Sequence, residues 1–192
     1  MNTHRRRLLQ AGMAGAAASA MRIVAAAPAQ HSAAAVAAEE AALGAATGPD
    51  WAVWQGGPTP ALALPDLQDR PRSLNEFLGQ VAIVTFWATW CEPCRQEIPI
   101  MSALADRHGD KGLRLVAVNA AEARPRIDAF LARLPIHGLV LHDRNGTAVH
   151  DWHVVGMPAN FVVDRKGRIR LWHLGGMDWS RPPIVDPVTA LL

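Results

Sequence analysis

Val81-Ala82-Ile83-Val84-Thr85-Phe86-Trp87-Ala88-Thr89-Trp90-Cys91-Glu92-Pro93-Cys94 runs an apolar septet straight into a paired-cysteine turn. A continuous apolar run of this length is the mark of a strand covered on both faces. Glu92–His108 then reads as a helix, with Ile98, Met101, Leu104 and Ala105 on one face and Gly109 near its end. A thiol placed where a strand gives way to a helix has a physical consequence. Free backbone N–H groups and the helix dipole stabilise a thiolate there. Pro93 fits because first-turn N–H groups have no intrahelical acceptor. Two intervening residues let both sulfurs meet across one turn, with Cys91 expected exposed at the tip and Cys94 less so. Such a pair can pass between dithiol and disulfide with little backbone movement.

Outward from the junction, Leu113–Val118 reads as a second buried strand, so strand, helix and strand make a right-handed parallel unit. Arg126–Leu134 reads as a helix and Leu139–Leu141 as a short strand. Phe161–Asp164, the turn Arg165-Lys166-Gly167 and Arg168–His173 read as a hairpin. Upstream, Ala61–Leu64 is a strand candidate. Ser73 with Glu76 three residues on forms a capping box for a short helix through Leu78. The expected fold is α/β, with a mixed central sheet and helices on both sides.

Bland roles for the cysteines fit poorly. A disulfide closing so short a loop is worth only about 2 kcal/mol by loop entropy. Zinc would find half a site, to be completed by His150 and His153. Haem attachment requires His where Arg95 stands. The position of the pair in a βαβ unit points instead to thiol–disulfide exchange. The competing class is a copper- or metal-handling protein using Cys91, Cys94 and a histidine. His137, His142 and His173 show no ligand spacing, and His150 and His153 lie at an i,i+3 interval that more often marks a polar helix face. Redox exchange of a cysteine pair needs no cofactor or metal, and none is expected.

Val84 to Glu97 resembles the TlpA/ResA-like branch of the thioredoxin superfamily, and the similarity extends over residues 58–180. It takes in Ser73-Leu74-Asn75-Glu76-Phe77, the strand ending Ala117-Val118-Asn119, and Gly176-Met177-Asp178-Trp179. The resemblance implies a thioredoxin-like fold with an N-terminal strand extension and an inserted βα element. It also implies extracytoplasmic disulfide reduction through Cys91 and Cys94, often in cytochrome c maturation, with recharging by a membrane electron donor. Gly156-Met157-Pro158 is similar to the family's cis-proline loop, although few X–Pro bonds are cis in general. The family usually carries hydroxyl residues after that proline, where this chain has Ala159-Asn160. Glu97, three positions after Cys94, matches an acidic residue that lies near the cysteine pair in ResA-like members. A carboxylate there opposes thiolate formation and can relay protons; the alternative is a solvated glutamate paired with an arginine. Trp90 and Pro93 complete the site expected from the motif, while Trp172 and Trp179 read as packing residues.

The remaining sequence says where such a domain works. Arg5-Arg6-Arg7 precedes an uncharged, Ala- and Gly-rich stretch of 14 residues, Leu8–Met21, and Ala27-Pro28-Ala29 offers small residues at a cleavage site. Residues 1–29 read as a signal peptide of twin-arginine type. The stretch is short of the roughly 20 residues that span a bilayer, although an uncleaved anchor would face the domain to the same periplasmic compartment. Residues 30–57 read as an Ala-, Gly- and Pro-rich tether, with Trp51 and Trp54 as a latch on the domain, and residues 58–192 as the thioredoxin-like domain. The whole chain carries 19 Lys and Arg against 17 Asp and Glu; without residues 1–29 the balance is 15 against 17. A net charge of −2 gives no electrostatic reason to bind nucleic acid. The expected partners are protein thiols and disulfides, met by a monomer.

Overall fold

The computed structural model describes Ala38 and residues 42–192, so the signal-peptide segment 1–29 lies outside the described residues. A six-stranded mixed sheet has the order β1-β8-β7-β4-β5-β6. Its strands are β1 (Ala52–Val53), β4 (Val81–Trp87), β5 (Leu113–Ala120), β6 (Leu139–Asp143), β7 (Ala159–Val163) and β8 (Ile169–Leu174). A separate hairpin pairs β2 (Ala63–Pro65) with β3 (Pro71–Ser73). Helices α1 (Glu92–Arg107), α2 (Arg124–Leu131), α3 (Thr147–Asp151) and α4 (Pro182–Thr189) accompany the sheets.

All seven residues of β4 are buried, because the strand is central and both faces are covered. Val81, Ile83 and Trp87 point into one core, with Ile98 and Met101 of α1, Ile127 and Phe130 of α2, and Ile184 and Val188 of α4. Ala82, Val84 and Phe86 point into the other, with Leu62, Leu74, Phe161 and Trp152. The period-two alternation of a strand divides the septet between two hydrophobic cores. β4 runs parallel to β5 and antiparallel to β7. β5 and β6 are also parallel, so α1 and α2 are successive crossovers. The α2–β6 unit and the β2–β3 hairpin are the inserted and N-terminal elements that the family resemblance implies.

The local signals hold with small shifts. Ser73 caps a 3₁₀ turn over Leu74–Phe77, with the reciprocal Glu76 bond to the Ser73 N–H at 2.7 Å. α2 spans Arg124–Leu131 rather than Arg126–Leu134, since Pro125 fits the first turn of a helix. The sheet begins inside the segment read as a tether. Ala52 and Val53 pair antiparallel with Trp172 and Leu171 on β8. Trp51 and Trp54 lie on either side of that short strand: Trp51 packs against the core holding the cysteines, and Trp54 against the opposite one.

Candidate active site

β4 ends at Trp87, and the chain turns through Ala88, Thr89 and Trp90 before α1 begins. Cys91 is the N-cap of α1, in extended conformation with φ −80° and ψ 102°. Its Sγ accepts the Cys94 N–H at 3.3 Å. That bond is the N-cap interaction normally made by a serine or aspartate oxygen, and it favours negative charge on the sulfur. Cys91 and Cys94 are joined as a disulfide with 5.3 Å between Cα atoms.

The expectation of an exposed Cys91 needs correction. Cys91 is 3% exposed and Cys94 1%. Both belong to the apolar core that includes Ala88, Trp87, Met177 and the half-buried Met157. The exposed member of the turn is Trp90, at 63%. Pro93 sits in the first helical turn, as the motif requires.

The Met157–Pro158 peptide is cis, and Pro158 is buried where β7 begins. Its carbonyl accepts the Gly175 N–H at 2.8 Å, which draws the 175–179 loop in beside the cysteine turn. A Cβ on Gly176 would lie 3.1 Å from Pro93 Cβ and 3.4 Å from Glu97 Oε1. The absence of a side chain there lets the loop backbone close over both residues.

Glu97 is not a solvated surface residue. It is 4% exposed, and none of its hydrogen-bond partners is an arginine. Its Oε1 accepts the Met177 N–H at 2.6 Å. Its Oε2 accepts Asn160 Nδ2–H and Trp179 Nε1–H, each at 3.0 Å. Burial pushes the Glu97 carboxyl above its ordinary pKa, against the pull of these three neutral donors. The Asn160 amide serves the glutamate. Trp179, read from sequence as packing, is both packed and a hydrogen-bond donor. Its 82-residue separation from Glu97 left no local pattern to find.

A second carboxylate fixes the approach to Cys91. Glu122, after β5, accepts Thr89 N–H and Thr89 Oγ1–H at 2.6 Å each, and Asn119 Nδ2–H at 2.9 Å. Arg126 Nε lies 3.3 Å from the same carboxylate and donates to Thr89 Oγ1 at 3.0 Å. This network pins the turn two residues before the cysteine.

The described histidines form no ligand group with the cysteines. His150 is exposed beside Asp151, and His153 follows α3 with a left-handed φ of 52°. His142 Nε2 bonds the Glu122 carbonyl oxygen at 2.8 Å. His173 is buried opposite Asn160 in the β7–β8 ladder. Among the described residues no three His, Cys, Asp or Glu side chains are grouped to hold a metal ion.

The AhpC/TSA family pattern matches residues 56–172. The chain is 35% identical to the thiol:disulfide interchange protein DsbE of Allochromatium vinosum over 139 residues, 69% of this chain and 74% of that protein. It is 29% identical to the thiol-disulfide oxidoreductase ResA of Geobacillus thermodenitrificans over 119 residues, 62% of this chain and 68% of that one. A Chlorobium tepidum structure assigned as a thiol:disulfide interchange protein DsbE superposes with a TM-score of 0.63 at 32% identity. The superposition covers 73% of this chain and 96% of that structure.

Proposed function

Because the chain belongs to the AhpC/TSA family, and its relatives are thiol–disulfide oxidoreductases of the thioredoxin fold, we propose that it is a thiol–disulfide oxidoreductase that reduces protein disulfides through Cys91 and Cys94. The observation that carries the proposal is the Cys91 sulfur at the N-cap of α1, bonded to Cys94 and accepting its N–H.

In the dithiol form the Cys91 thiolate attacks one sulfur of a substrate disulfide. A Cys91–substrate bond forms, and the second substrate sulfur leaves as a thiolate that takes a proton. The Cys94 thiolate then attacks Cys91 Sγ. The reduced substrate departs, and two electrons have moved from the pair to the substrate. The roles follow from position: Cys91 caps the helix from outside, where backbone N–H groups stabilise its anion, and Cys94 lies in the first turn. The buried Cys91 must be uncovered for attack; Met177 shares its apolar cluster, and the half-buried Met157 packs against that cluster. Glu97 sets the charge beside the pair and supplies a site where a proton can rest.

The setting that fits is extracytoplasmic, with a membrane dithiol donor recharging the pair and cytochrome c maturation as the process served. The Arg5-Arg6-Arg7 start and the Ala27-Pro28-Ala29 site support export from the sequence side. Among the described residues no helix is long and apolar enough to cross a membrane.

The test is a trap. Cys94→Ala should accumulate a mixed disulfide with a model protein disulfide on a non-reducing gel, and Cys91→Ala should accumulate none. Trapping that required Cys94 would reverse the roles, and no trapping by either variant would remove the reaction itself.

A further inference from the structure

Trp51 lies 40 residues before Cys91, yet it touches the wall of the redox site. Its Nε1–H donates to the Ile184 carbonyl at 2.9 Å, which ties β1 to the start of α4. Its ring meets Trp179 edge to face at 5.5 Å and His173 at 6.4 Å, both with interplanar angles of 83°. Trp179 in turn is the indole that donates to Glu97 Oε2. Trp54, across β1, touches neither ring and packs instead on Phe161 and Trp172. One short strand thus sends one tryptophan to the redox core and the other to the opposite core.

We propose that Trp51 is a positioning residue of the redox site, acting through Trp179 on Glu97. The inference rests on the thiol–disulfide exchange assigned to Cys91 and Cys94. It makes the N-terminal strand part of the site rather than only a fastening of the chain. The physical route is burial. Trp51 covers Trp179, and Trp179 with Asn160 and the Met177 backbone closes Glu97 from water. No cation compensates the carboxylate among these donors, so its ionisation depends on how well the pocket is sealed.

The charged and titratable groups around Glu97 are few. On its own helix they are Cys94 and the N-capping Cys91, with Glu92 and Arg95 paired on the exposed face. His173 lies on β8 opposite Asn160, and burial holds its pKa down against hydrogen bonding to the backbone of Asp50 and Gly176. Asp178 is turned to Ser180, Asp50 faces Arg181, and α4 presents Ile184 and Val188 to this core. Removing the Trp51 ring admits water to the Trp179–Glu97 contact and favours the charged carboxylate. A more fully charged carboxylate opposes the Cys91 thiolate more strongly.

The experiment uses the full chain, reduced, with the rate of iodoacetamide alkylation of Cys91 followed against pH. Trp51→Ala should move the alkylation profile upward by about half a pH unit. Trp54→Ala should lower stability without moving it. In a Glu97→Gln background Trp51→Ala should leave the profile where Glu97→Gln alone puts it. Should Trp51→Ala not fold, Trp51→Leu fills much of the volume without an aromatic edge and should shift the profile in the same direction. A folded Trp51 variant with the wild-type profile, or a shift that persists without Glu97, overturns the proposal. Wild-type protein that alkylates yet exchanges no disulfide would instead overturn the function on which it rests.

Discussion

Asn160 Nδ2 donates to Glu97 Oε2 at 3.0 Å, joining the strand that follows the cis peptide to the helix that carries the cysteines. The same oxygen takes the Trp179 indole, and the other takes the Met177 N–H. One buried carboxyl therefore holds together three segments that meet only in the folded chain. The amide works inward, on Glu97.

Glu97→Gln should make the reactive thiol more acidic, because it removes a negative charge that opposes a thiolate nearby. The alkylation profile should move down by about one pH unit. The variant also has a stability signature. Burial raises the folded pKa of Glu97, so the carboxyl's contribution is fully present below its unfolded pKa and is lost as pH rises through the folded value. Urea unfolding at several pH values should show the Gln variant gaining on wild type as pH increases. A constant difference would mean that Glu97 folds and unfolds with the same pKa.

Trp179→Phe keeps a ring in the core but removes the donor to Glu97. The expected loss is about 1–2 kcal/mol, in the range for a hydrogen bond to a buried polar or charged group. In a Glu97→Gln background the loss should change, since contacting residues are not additive. Equal losses in both backgrounds would reduce Trp179 to packing alone.

Glu122→Ala leaves the Thr89 N–H and hydroxyl without their acceptor two residues before Cys91. Destabilisation of about 2–3 kcal/mol is expected from the orphaned donors. Disulfide exchange should also slow, because the turn that presents the N-cap is no longer fixed. Thr89→Val, which keeps the backbone bond, should cost less on both measures. A Glu122 variant with normal stability and rate would make the network incidental.

The fold was legible because its decisive signals are local. The apolar septet Val81–Trp87, the Ser73–Glu76 cap and the Phe161–His173 hairpin each declare themselves within thirteen residues. The cysteine pair was legible for the same reason. Glu97 could be singled out by its spacing from Cys94, but its environment could not be derived from spacing. Its donors come from positions 160, 177 and 179, and only the sheet order brings them together. Glu122 carries no local signal, because its partner Thr89 is 33 residues away. The place of Cys91 outside the helix suggests an exposed sulfur, whereas the residue is buried. Helix position fixes the backbone, however, and burial of the sulfur depends on segments distant in sequence, which join Cys91 to an apolar cluster with Leu115, Ile127 and Met177.

Acid should act first on the hairpins, not on the redox site. Burial alone would raise the Asp66 carboxyl, but bonds from the Arg70 and Gln68 N–H groups and the Arg70 guanidinium bring its pKa down to about 2. Asp164 is lowered in the same way by the Arg168 and Lys166 N–H groups and the Arg168 guanidinium, against burial. A carboxyl with a depressed folded pKa contributes stability above its unfolded pKa and loses it as pH falls through the folded one. Asp66→Asn should therefore be less stable than wild type at pH 7, and the gap should close between about pH 4 and pH 2. A gap that stayed constant across that window would mean the carboxylate's charge is not what Asp66 contributes.

The direction of electron flow is the remaining expectation, and the charges around the pair argue for a reductant. A strongly oxidising pair owes its potential to a very stable reduced thiolate. Cys91 does receive N-cap stabilisation, but Glu97 lies buried on the same helix and every one of its partners is neutral. Glu92 adds a second carboxylate between the cysteines, although it is exposed and paired with Arg95, so salt and solvent screen it. Charge on Glu97 is therefore expected to hold the thiolate of the dithiol form back and to favour the disulfide. Equilibration with glutathione buffers should place the couple near thioredoxin, at roughly −270 mV, and Glu97→Gln should move it toward more oxidising values. A wild-type potential of about −120 mV would make the protein an oxidant and reverse the assignment. A reducing potential unmoved by Glu97→Gln would leave the direction standing and remove Glu97 as its cause.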